Sequence, residues 1–207
     1  MKFNFRTFGI MAAMYGLTLP LQAISINPMG PYYDSPNGGS PLLDGQELIA
    51  SGGDVTLTFL GPTTALFDDA IFLESPGNSL GFFFDNHSTA NGTTIDLGDF
   101  AVGTEIEFGL YSYNTDETWY DGPGSRNSDG AVHAYLLNDY EGIPNTTYVG
   151  FEDLAADAPS DWNYVDDIFA VSGVNAMDVP DTASTALMLG FAGLSLVSFR
   201  RYCRENS

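Results

Sequence analysis

The chain has 207 residues, of which 27 are Asp or Glu and six are Lys or Arg, so its formal net charge at pH 7 is −21. This excess of acids excludes a nucleic-acid-binding protein, because nothing in the chain could neutralise the phosphates. Hydrophobic residues make up 44% of the sequence and aromatic residues 14%, which excludes an intrinsically disordered acidic chain and predicts one packed domain of ordinary size.

Residues 1–23 predict a secretory signal peptide. Lys2 and Arg6 precede an apolar run at 8–19, and the small residue Ala23 follows shortly afterwards. A charged start, an apolar stretch and a small residue at the cleavage position are the three parts of such a signal. We therefore expect cleavage after Ala23 and export of the remainder. The alternative is a buried N-terminal helix.

Residues 24–178 predict the exported domain. They carry 25 of the 27 acids and only one of the six basic residues, Arg126. The first part of this domain, 24–45, is rich in proline and glycine and predicts an irregular segment. The only cysteine, Cys203, lies outside the domain, so a disulfide cannot stabilise it.

Alternation of apolar and polar residues recurs along 45–175 and predicts β-strands with one wet face. The stretches 55–59 and 105–110 show it most clearly. Further candidate strands, each bounded by Gly, Pro, Asn or Asp, are 47–50, 65–73, 79–85, 93–100, 131–137, 147–152 and 167–172. No stretch has the period of an amphipathic helix, so the expected fold class is all-β, an antiparallel β-sandwich of jelly-roll type.

Two weaker patterns lie in the middle of the chain. Glu105 and Glu107 alternate on one strand face at a separation of ~7 Å, which suits an inverting glycosidase pair but is equally typical of a strand that faces water. Trp119, Tyr120 and Trp162 fall in predicted loops, where they would either stack on sugar rings or cap the core.

The densest group of acids lies at 152–167, with six carboxylates in sixteen residues and no basic residue. Converging carboxylates repel one another, and a hard divalent cation with oxygen ligands relieves that repulsion. The stretch therefore predicts a calcium site. Its candidate ligands are Glu152, Asp153, Asp161, Asn163 and one of Asp166 and Asp167. The spacing is not that of an EF-hand, and the alternative is a solvated loop that serves solubility alone.

This part of the chain also resembles an uncharacterised domain of exported bacterial proteins. Gly150-Phe151-Glu152-Asp153 is similar to its G-F-E-D strand end, and Ser160-Asp161-Trp162-Asn163-Tyr164 is similar to the start of its next strand. The resemblance covers about 100–172. It implies a β-sandwich and a calcium site, with no established catalytic activity.

Residues 179–207 predict a C-terminal sorting signal. Val179-Pro180-Asp181 comes first, an apolar stretch at 182–199 follows, and Arg200 and Arg201 stand directly after it. The charge-free part, about 17 residues, is at the short limit for a transmembrane helix. The arginines place its far end in the cytoplasm.

The order of these three parts resembles the C-terminal signal of the bacterial PEP-CTERM class, in its VPDSG-CTERM variant. The resemblance implies export, transient anchoring in the membrane and processing by an exosortase, in bacteria that make extracellular polysaccharide. The alternative is a plain C-terminal membrane anchor.

Together these features predict a non-enzymatic exported protein of the cell surface or the extracellular polysaccharide matrix, with calcium as its cofactor. Its expected partners are the exosortase and export machinery, the membrane before processing, and anionic extracellular polysaccharide. No residue is assigned a catalytic role. The alternative function is a secreted carbohydrate-active enzyme, or a carbohydrate-binding module, that uses a carboxylate pair.

Overall fold

The computed structural model of the chain describes residues 26–27, 30–33, 36, 39–61, 65–76 and 81–179. The predicted signal peptide and most of the predicted sorting signal, including Pro180, Asp181, Arg200 and Arg201, lie outside these residues. In the part of the chain that is described, no helix combines the length and the apolar character needed to cross a lipid bilayer.

The described residues form an all-β structure, which confirms the predicted fold class. The strands are β1 (Gln46–Ala50), β2 (Gly53–Gly61), β3 (Asp69–Ser75), β4 (Phe82–Asp85), β5 (Thr94–Phe100), β6 (Glu105–Ser112), β7 (Glu117–Tyr120), β8 (Ala134–Leu137), β9 (Thr146–Phe151), β10 (Asp167–Ser172) and β11 (Val174–Asp178). Helical structure in the described ranges is limited to two 3₁₀ turns, at Gly124–Arg126 and Tyr140–Gly142.

The strands are arranged in two antiparallel sheets, as in a β-sandwich. One sheet has the order β11-β1-β6-β3-β4, and β7 also pairs with β6. The other sheet has the order β5-β2-β10-β9-β8. Strand β11 lies at the edge of the first sheet, where β1 is its strand partner.

The predicted period of two is confirmed where strands from the two sheets share a core. Val55, Leu57 and Phe59 in β2 are fully buried, as are the three alternating apolar residues of β6. The rings of Phe108 in β6 and Phe169 in β10 meet edge to face, with their centroids 5.2 Å apart. Alternate residues therefore bury the facing sides of both sheets in one hydrophobic cluster.

Two strands were not predicted from the sequence, and both follow very tight turns. Strand β7 comes after a turn in which Asp116 has a φ of 58°, and it has only four residues. Strand β11 is separated from β10 by the single residue Gly173, whose φ is 87°. The chain thus passes from one sheet to the other at a position that the sequence marks only with a single glycine. The predicted strand 65–73 is also shifted, because the observed strand is Asp69–Ser75.

Three acidic residues mark strand ends that come close together. Glu152 follows the last residue of β9, and Asp167 begins β10 opposite Phe151 of β9. Asp69 begins β3, opposite Ser112 at the end of β6. Strand β3 contacts strand β10 across the two sheets, and among charged groups Asp69 has the largest effect on Asp167.

Candidate metal centre

The main chain brings the ends of β9 and β10 together around a long loop. The Asp166 N–H donates a hydrogen bond to the carbonyl of Phe151 at 3.1 Å, and the Glu152 N–H donates one to the carbonyl of His133 at 3.0 Å. These contacts extend the strand pairing by one residue on each side. Main-chain pairing therefore holds Glu152 and Asp166, although the sequence places them around a loop, and the Asp153 N–H donates to Asp166 Oδ2 at 3.4 Å.

Glu152, Asp153 and Asp166 converge on one another. One carboxylate oxygen of each lies within 4.8 Å of the others, and this is the only such group of three metal-binding side chains in the described ranges. Their exposed fractions are 2%, 4% and 9%. Ca²⁺ binds oxygen at about 2.3–2.6 Å, so oxygens on opposite sides of one ion are separated by about 5 Å. The triad has the spacing that such an ion requires.

One carboxylate oxygen of the triad residue Glu152 has no partner. Glu152 Oε2 is buried and accepts no hydrogen bond from any described residue. A buried carboxylate oxygen without a donor is strongly unfavourable, and proteins normally satisfy it with a hydrogen bond or a cation. This oxygen is therefore an observation in favour of a ligand that does not depend on the clustering of acids.

The three carboxyl groups have raised proton affinities. Burial, followed by the charge of Asp153, raises the pKa of Asp166 to about 9. Burial raises the pKa of Glu152 to about 7, and burial also raises the pKa of Asp153. The ionised triad is costly to form in the native fold, and either protons or a cation must offset that cost.

An open cavity of about 170 Å³ leads to the triad. Its walls include Leu66, Pro159 and the exposed side chain of Asp161, and the three triad carboxylates lie along it. A hydrated cation can therefore enter from the solvent.

The other two predicted loop ligands, Asp161 and Asn163, do not belong to the group of three. Asp161 Oδ1 accepts the N–H of Asn163 at 3.2 Å, and Asp161 Oδ2 accepts its side-chain amide at 2.8 Å. Asn163 Oδ1 in turn accepts the N–H of Val165 at 3.0 Å. Asn163 thus shapes the loop, whereas Asp161 stands at the wall of the cavity and acts on the triad through its charge.

Asp166 and Asp167 point in different directions, as neighbours along a strand do. Asp166 belongs to the triad. Asp167 is fully buried, and the charge that acts on it most strongly is that of Asp69. The sequence left open which of the two would bind a metal with Glu152 and Asp153, and the geometry favours Asp166.

Two aromatic side chains contact the main chain of two triad residues. His133 Nδ1 lies 3.0 Å from the carbonyl oxygen of Glu152, and Trp119 Nε1 donates to the carbonyl oxygen of Asp153 at 3.0 Å. His133 Nε2 lies 3.0 Å from Asp129 Oδ2. His133 was expected to be a half-buried strand residue and is fully buried instead. Its contact to the Glu152 carbonyl could not be predicted, because a contact to a main-chain carbonyl leaves no pattern in the sequence.

The predicted loop aromatics occupy other environments. Trp119 and Tyr120 lie in β7, and Trp119 is fully buried. Trp162 is 5% exposed and packs beside Tyr164. The prediction that Trp119 and Tyr120 lie in loops was therefore wrong, and both tryptophans are core residues, as the capping alternative expected.

The pair of glutamates on β6 is bound by the one arginine of the domain. Arg126 Nη2 contacts Glu105, and it lies 2.6 Å from Glu47 Oε1, while Arg126 Nη1 lies 3.5 Å from Glu107 Oε1. Strand β1 and strand β6 are thereby joined through a single guanidinium group. The alternating acids of 105–107 have a structural partner that their spacing does not reveal.

Comparisons with protein-family models, with curated proteins and with solved structures found no significant match.

Proposed function

We propose that this chain is an exported, non-enzymatic protein of the cell surface or the extracellular polysaccharide matrix, and that its β-sandwich binds Ca²⁺ at Glu152, Asp153 and Asp166. The observation that carries the metal site is the buried Oε2 of Glu152, a triad residue, which has no hydrogen-bond partner among the described residues. Calcium would satisfy this oxygen and offset the repulsion among the three carboxylates.

The donor set favours calcium over other cations. The triad offers carboxylate oxygens, which are hard ligands, and neither cysteine nor histidine belongs to it. Mg²⁺ requires a small octahedral arrangement and gives up its water reluctantly, whereas Ca²⁺ accepts six to eight oxygens at variable angles. The open cavity leaves room for water ligands.

Export is proposed from the two ends of the sequence. Lys2 and Arg6 precede one apolar run, and Arg200 and Arg201 follow the other. The order of parts from Val179 onwards supports processing by an exosortase. The transmembrane helix, the exported location and the jelly-roll topology of the sandwich stay predictions.

A calcium titration tests the proposed site. The purified full-length protein, kept in a mild detergent and freed of metal with EDTA, is titrated with CaCl₂ in a calorimeter. We expect saturable binding that is lost in Asp166→Asn. The matched control is Asp157→Asn, which removes one charge from an exposed position of the same loop. Equal loss of binding in both variants would show that diffuse negative charge, rather than the triad, attracts the ion.

A second candidate function, carbohydrate binding, is favoured by an aromatic patch in which Phe82 and Tyr113 are exposed, Tyr111 is half-buried and Phe72 is buried beneath them. Phe82 is 54% exposed and stacks on Tyr111 with the ring centroids 5.9 Å apart. Phe72, Phe82 and Tyr111 line an open cavity of about 310 Å³. Exposed rings can stack on sugars, and the acidic domain would repel a polyanion unless cations bridged the two. A neutral polysaccharide is therefore the preferred ligand of this patch.

The carbohydrate function is tested with a panel of neutral and anionic polysaccharides. Binding of a neutral polysaccharide that is lost in Phe82→Ala would support it, and Leu43→Ala, which alters another exposed apolar side chain, is the control. Binding of anionic polysaccharide only when Ca²⁺ is present would instead support bridging by cations. Release of new reducing ends would favour the enzyme alternative.

A further inference from the structure

A second set of buried oxygens lies behind the triad. Asp69, Ser112 and Asp167 are each fully buried. Both carboxylate oxygens of Asp167, Oδ1 of Asp69 and Oγ of Ser112 have no hydrogen-bond partner within the described residues. Four unsatisfied oxygens in three side chains are unusual, because nearly all buried polar atoms in native proteins are paired.

These oxygens belong to one neighbourhood. Asp69 and Ser112 are directly opposite in the pairing of β3 with β6, so their side chains leave the sheet on the same face. The Ser112 hydroxyl is close enough to influence the Asp69 carboxyl without forming a well-aligned hydrogen bond. Asp69 is also the strongest charged neighbour of Asp167.

Asn86 fixes the orientation of the Asp69 carboxylate. The Asn86 side-chain amide donates to Asp69 Oδ2 at 3.2 Å, and Asn86 Oδ1 accepts the N–H of Asp69 at 3.0 Å. One oxygen of Asp69 is therefore occupied, and Oδ1 is the oxygen left for another partner.

Asp153 connects this set to the triad. Its carboxylate belongs to the triad, and its charge also acts on the buried Asp69 carboxyl. Two buried carboxylates that repel each other need a proton or a cation to offset the repulsion. Asp153 can therefore act as a bridge between two cation positions.

The charge of the buried group exceeds what one divalent ion can neutralise. The group contains five carboxylates, those of Asp69, Glu152, Asp153, Asp166 and Asp167. One divalent cation would leave three negative charges, and two would leave one. The basic side chains that act on the group, His87 and His133, are engaged with Asp68 and Asp129.

Protonation alone does not satisfy Asp167. A protonated carboxyl has an O–H that needs an acceptor, and the described residues offer none to Asp167, since the nearby Ile168 N–H is a donor. A cation satisfies carboxylate and hydroxyl oxygens together, because each of them can donate a lone pair.

We propose that a second Ca²⁺ binds between Asp69, Ser112 and Asp167 and shares Asp153 with the triad, which makes the centre binuclear. This inference rests on the proposed calcium function of the triad. The second set is more widely spaced than the triad, since only the triad has three ligand atoms within 4.8 Å of one another. Because Asn86 holds Asp69 Oδ2, binding would draw the Asp167 carboxylate towards Asp69 Oδ1.

The number of bound ions tests the proposal. The purified full-length protein, stripped of metal and kept in a mild detergent, is titrated calorimetrically with CaCl₂, and the bound calcium is counted by equilibrium dialysis. We expect two ions per chain for the unmodified protein and one for Asp167→Asn. Asp157→Asn, on the exposed loop, should still bind two.

The outcomes separate this inference from the proposed function. One ion per chain in both the unmodified protein and Asp167→Asn, or two in both, would overturn the second position while leaving the triad in place. No binding by the unmodified protein would overturn the triad itself. If Asp167→Asn does not fold, Ser112→Ala removes one neutral ligand instead, and it should weaken the second binding step by about tenfold and leave the first unchanged.

Discussion

The indole ring of Trp119 lies flat against the imidazole ring of His133, with the ring centroids 3.9 Å apart and the planes within 6° of parallel. The two rings contact consecutive main-chain carbonyls, those of Asp153 and Glu152. The stacked pair therefore sets the position of the main chain from which two candidate calcium ligands project. In metal sites such outer contacts orient the ligands and affect affinity.

Replacement of Trp119 by phenylalanine should affect both stability and calcium binding. The variant keeps an aromatic ring but loses the N–H that satisfies the Asp153 carbonyl, and it leaves a small cavity. We expect a destabilisation of about 2–4 kcal/mol and weaker Ca²⁺ binding, measured by urea unfolding and calorimetry. Tyr113→Phe, at an exposed ring, is the control. Unchanged calcium affinity in the Trp119 variant would limit the stack to a packing role.

The metal-free protein should become more stable as the pH is lowered. The pKa values of Glu152 and Asp166 are raised to about 7 and about 9, so the folded state takes up protons before the unfolded state does. The stabilisation is complete below about pH 4 and is lost as the pH rises through these two values. In EDTA, we expect the Tm to rise by several degrees between about pH 9 and about pH 5.

Saturating Ca²⁺ should reverse this trend, because the ion stabilises the ionised carboxylates and protons compete with it. The Tm with calcium should therefore fall as the pH is lowered over the same range, measured by circular dichroism. Parallel curves with and without calcium would contradict the assignment of the triad as the binding site.

Replacement of Arg126 by leucine should destabilise the sandwich at neutral pH. Glu47, Glu105 and Glu107 would lose the guanidinium that contacts all three. These side chains are partly exposed, so we expect a loss of about 2–3 kcal/mol, below that of a fully buried pair. The loss should shrink as the pH is lowered, because burial raises the pKa of Glu107 and its protonation removes one of the charges that the guanidinium offsets.

The control for Arg126 is Arg126→Lys, which keeps the charge but cannot span several carboxylates with a planar group. The free energy of unfolding of this variant, measured with urea, should lie between the values of the leucine variant and the unmodified protein. Equal stability of all three proteins would mean that solvent already screens the three glutamates.

Replacement of Tyr164 by phenylalanine should weaken the attachment of the acidic loop. The Tyr164 hydroxyl donates to the carbonyl of Val132 at 2.8 Å and accepts the N–H of Leu42 at 3.0 Å. Loss of both bonds should cost about 1–3 kcal/mol. Tyr111→Phe is the matched control, because its hydroxyl bonds the exposed Asp116. A similar small effect in both variants would show that the loop is held by other contacts.

Removal of residues 179–181 should prevent processing of the tail. Without the Val-Pro-Asp motif, we expect the protein to remain in the membrane fraction of the native host, whereas the unmodified protein is released with Ile24 as its first residue. Intact mass spectrometry of both fractions measures this. Normal release of the shortened protein would overturn the sorting assignment, and recovery of a cytosolic species that begins at Met1 would overturn export.

The sequence was most informative where the alternation of apolar and polar residues, or a local excess of charge, determines the environment of a side chain. The alternation at 55–59 and 105–110 correctly identified β2 and β6, because each strand has one face in the core. The acids of 152–167 correctly indicated a dense carboxylate group. The sequence could not separate Asp166 from Asp167, since strand register decides which of two neighbours faces Glu152.

Long-range contacts account for what was missed. Asp69 lies 84 positions before Asp153 in the numbering, and only the packing of β3 against β10 brings it to the buried carboxylates. Arg126 and Glu47 are also far apart in the sequence, and the fold brings them into contact in the same way. Local spacing carries no information on such pairs. The position of Asp69 beside the buried carboxylates, and that of Arg126 beside three glutamates, could therefore be seen only in the folded chain.

The edge position of β11 determines how the molecule would respond to tension. Asp178 pairs with Gln46 at the end of the β1–β11 ladder, and Val179 follows at once. An outward pull on Val179 reaches that terminal pair first and separates the two strands one pair at a time. Two residues from Asp178, the side chain of Asn138 accepts the N–H of Ala176 at 2.7 Å and donates to its carbonyl at 2.9 Å. These two bonds would resist further separation of the strands. A molecule tethered by its tail would therefore yield first at this edge, where Ala176 and then Val174 would be drawn out of the shared hydrophobic core.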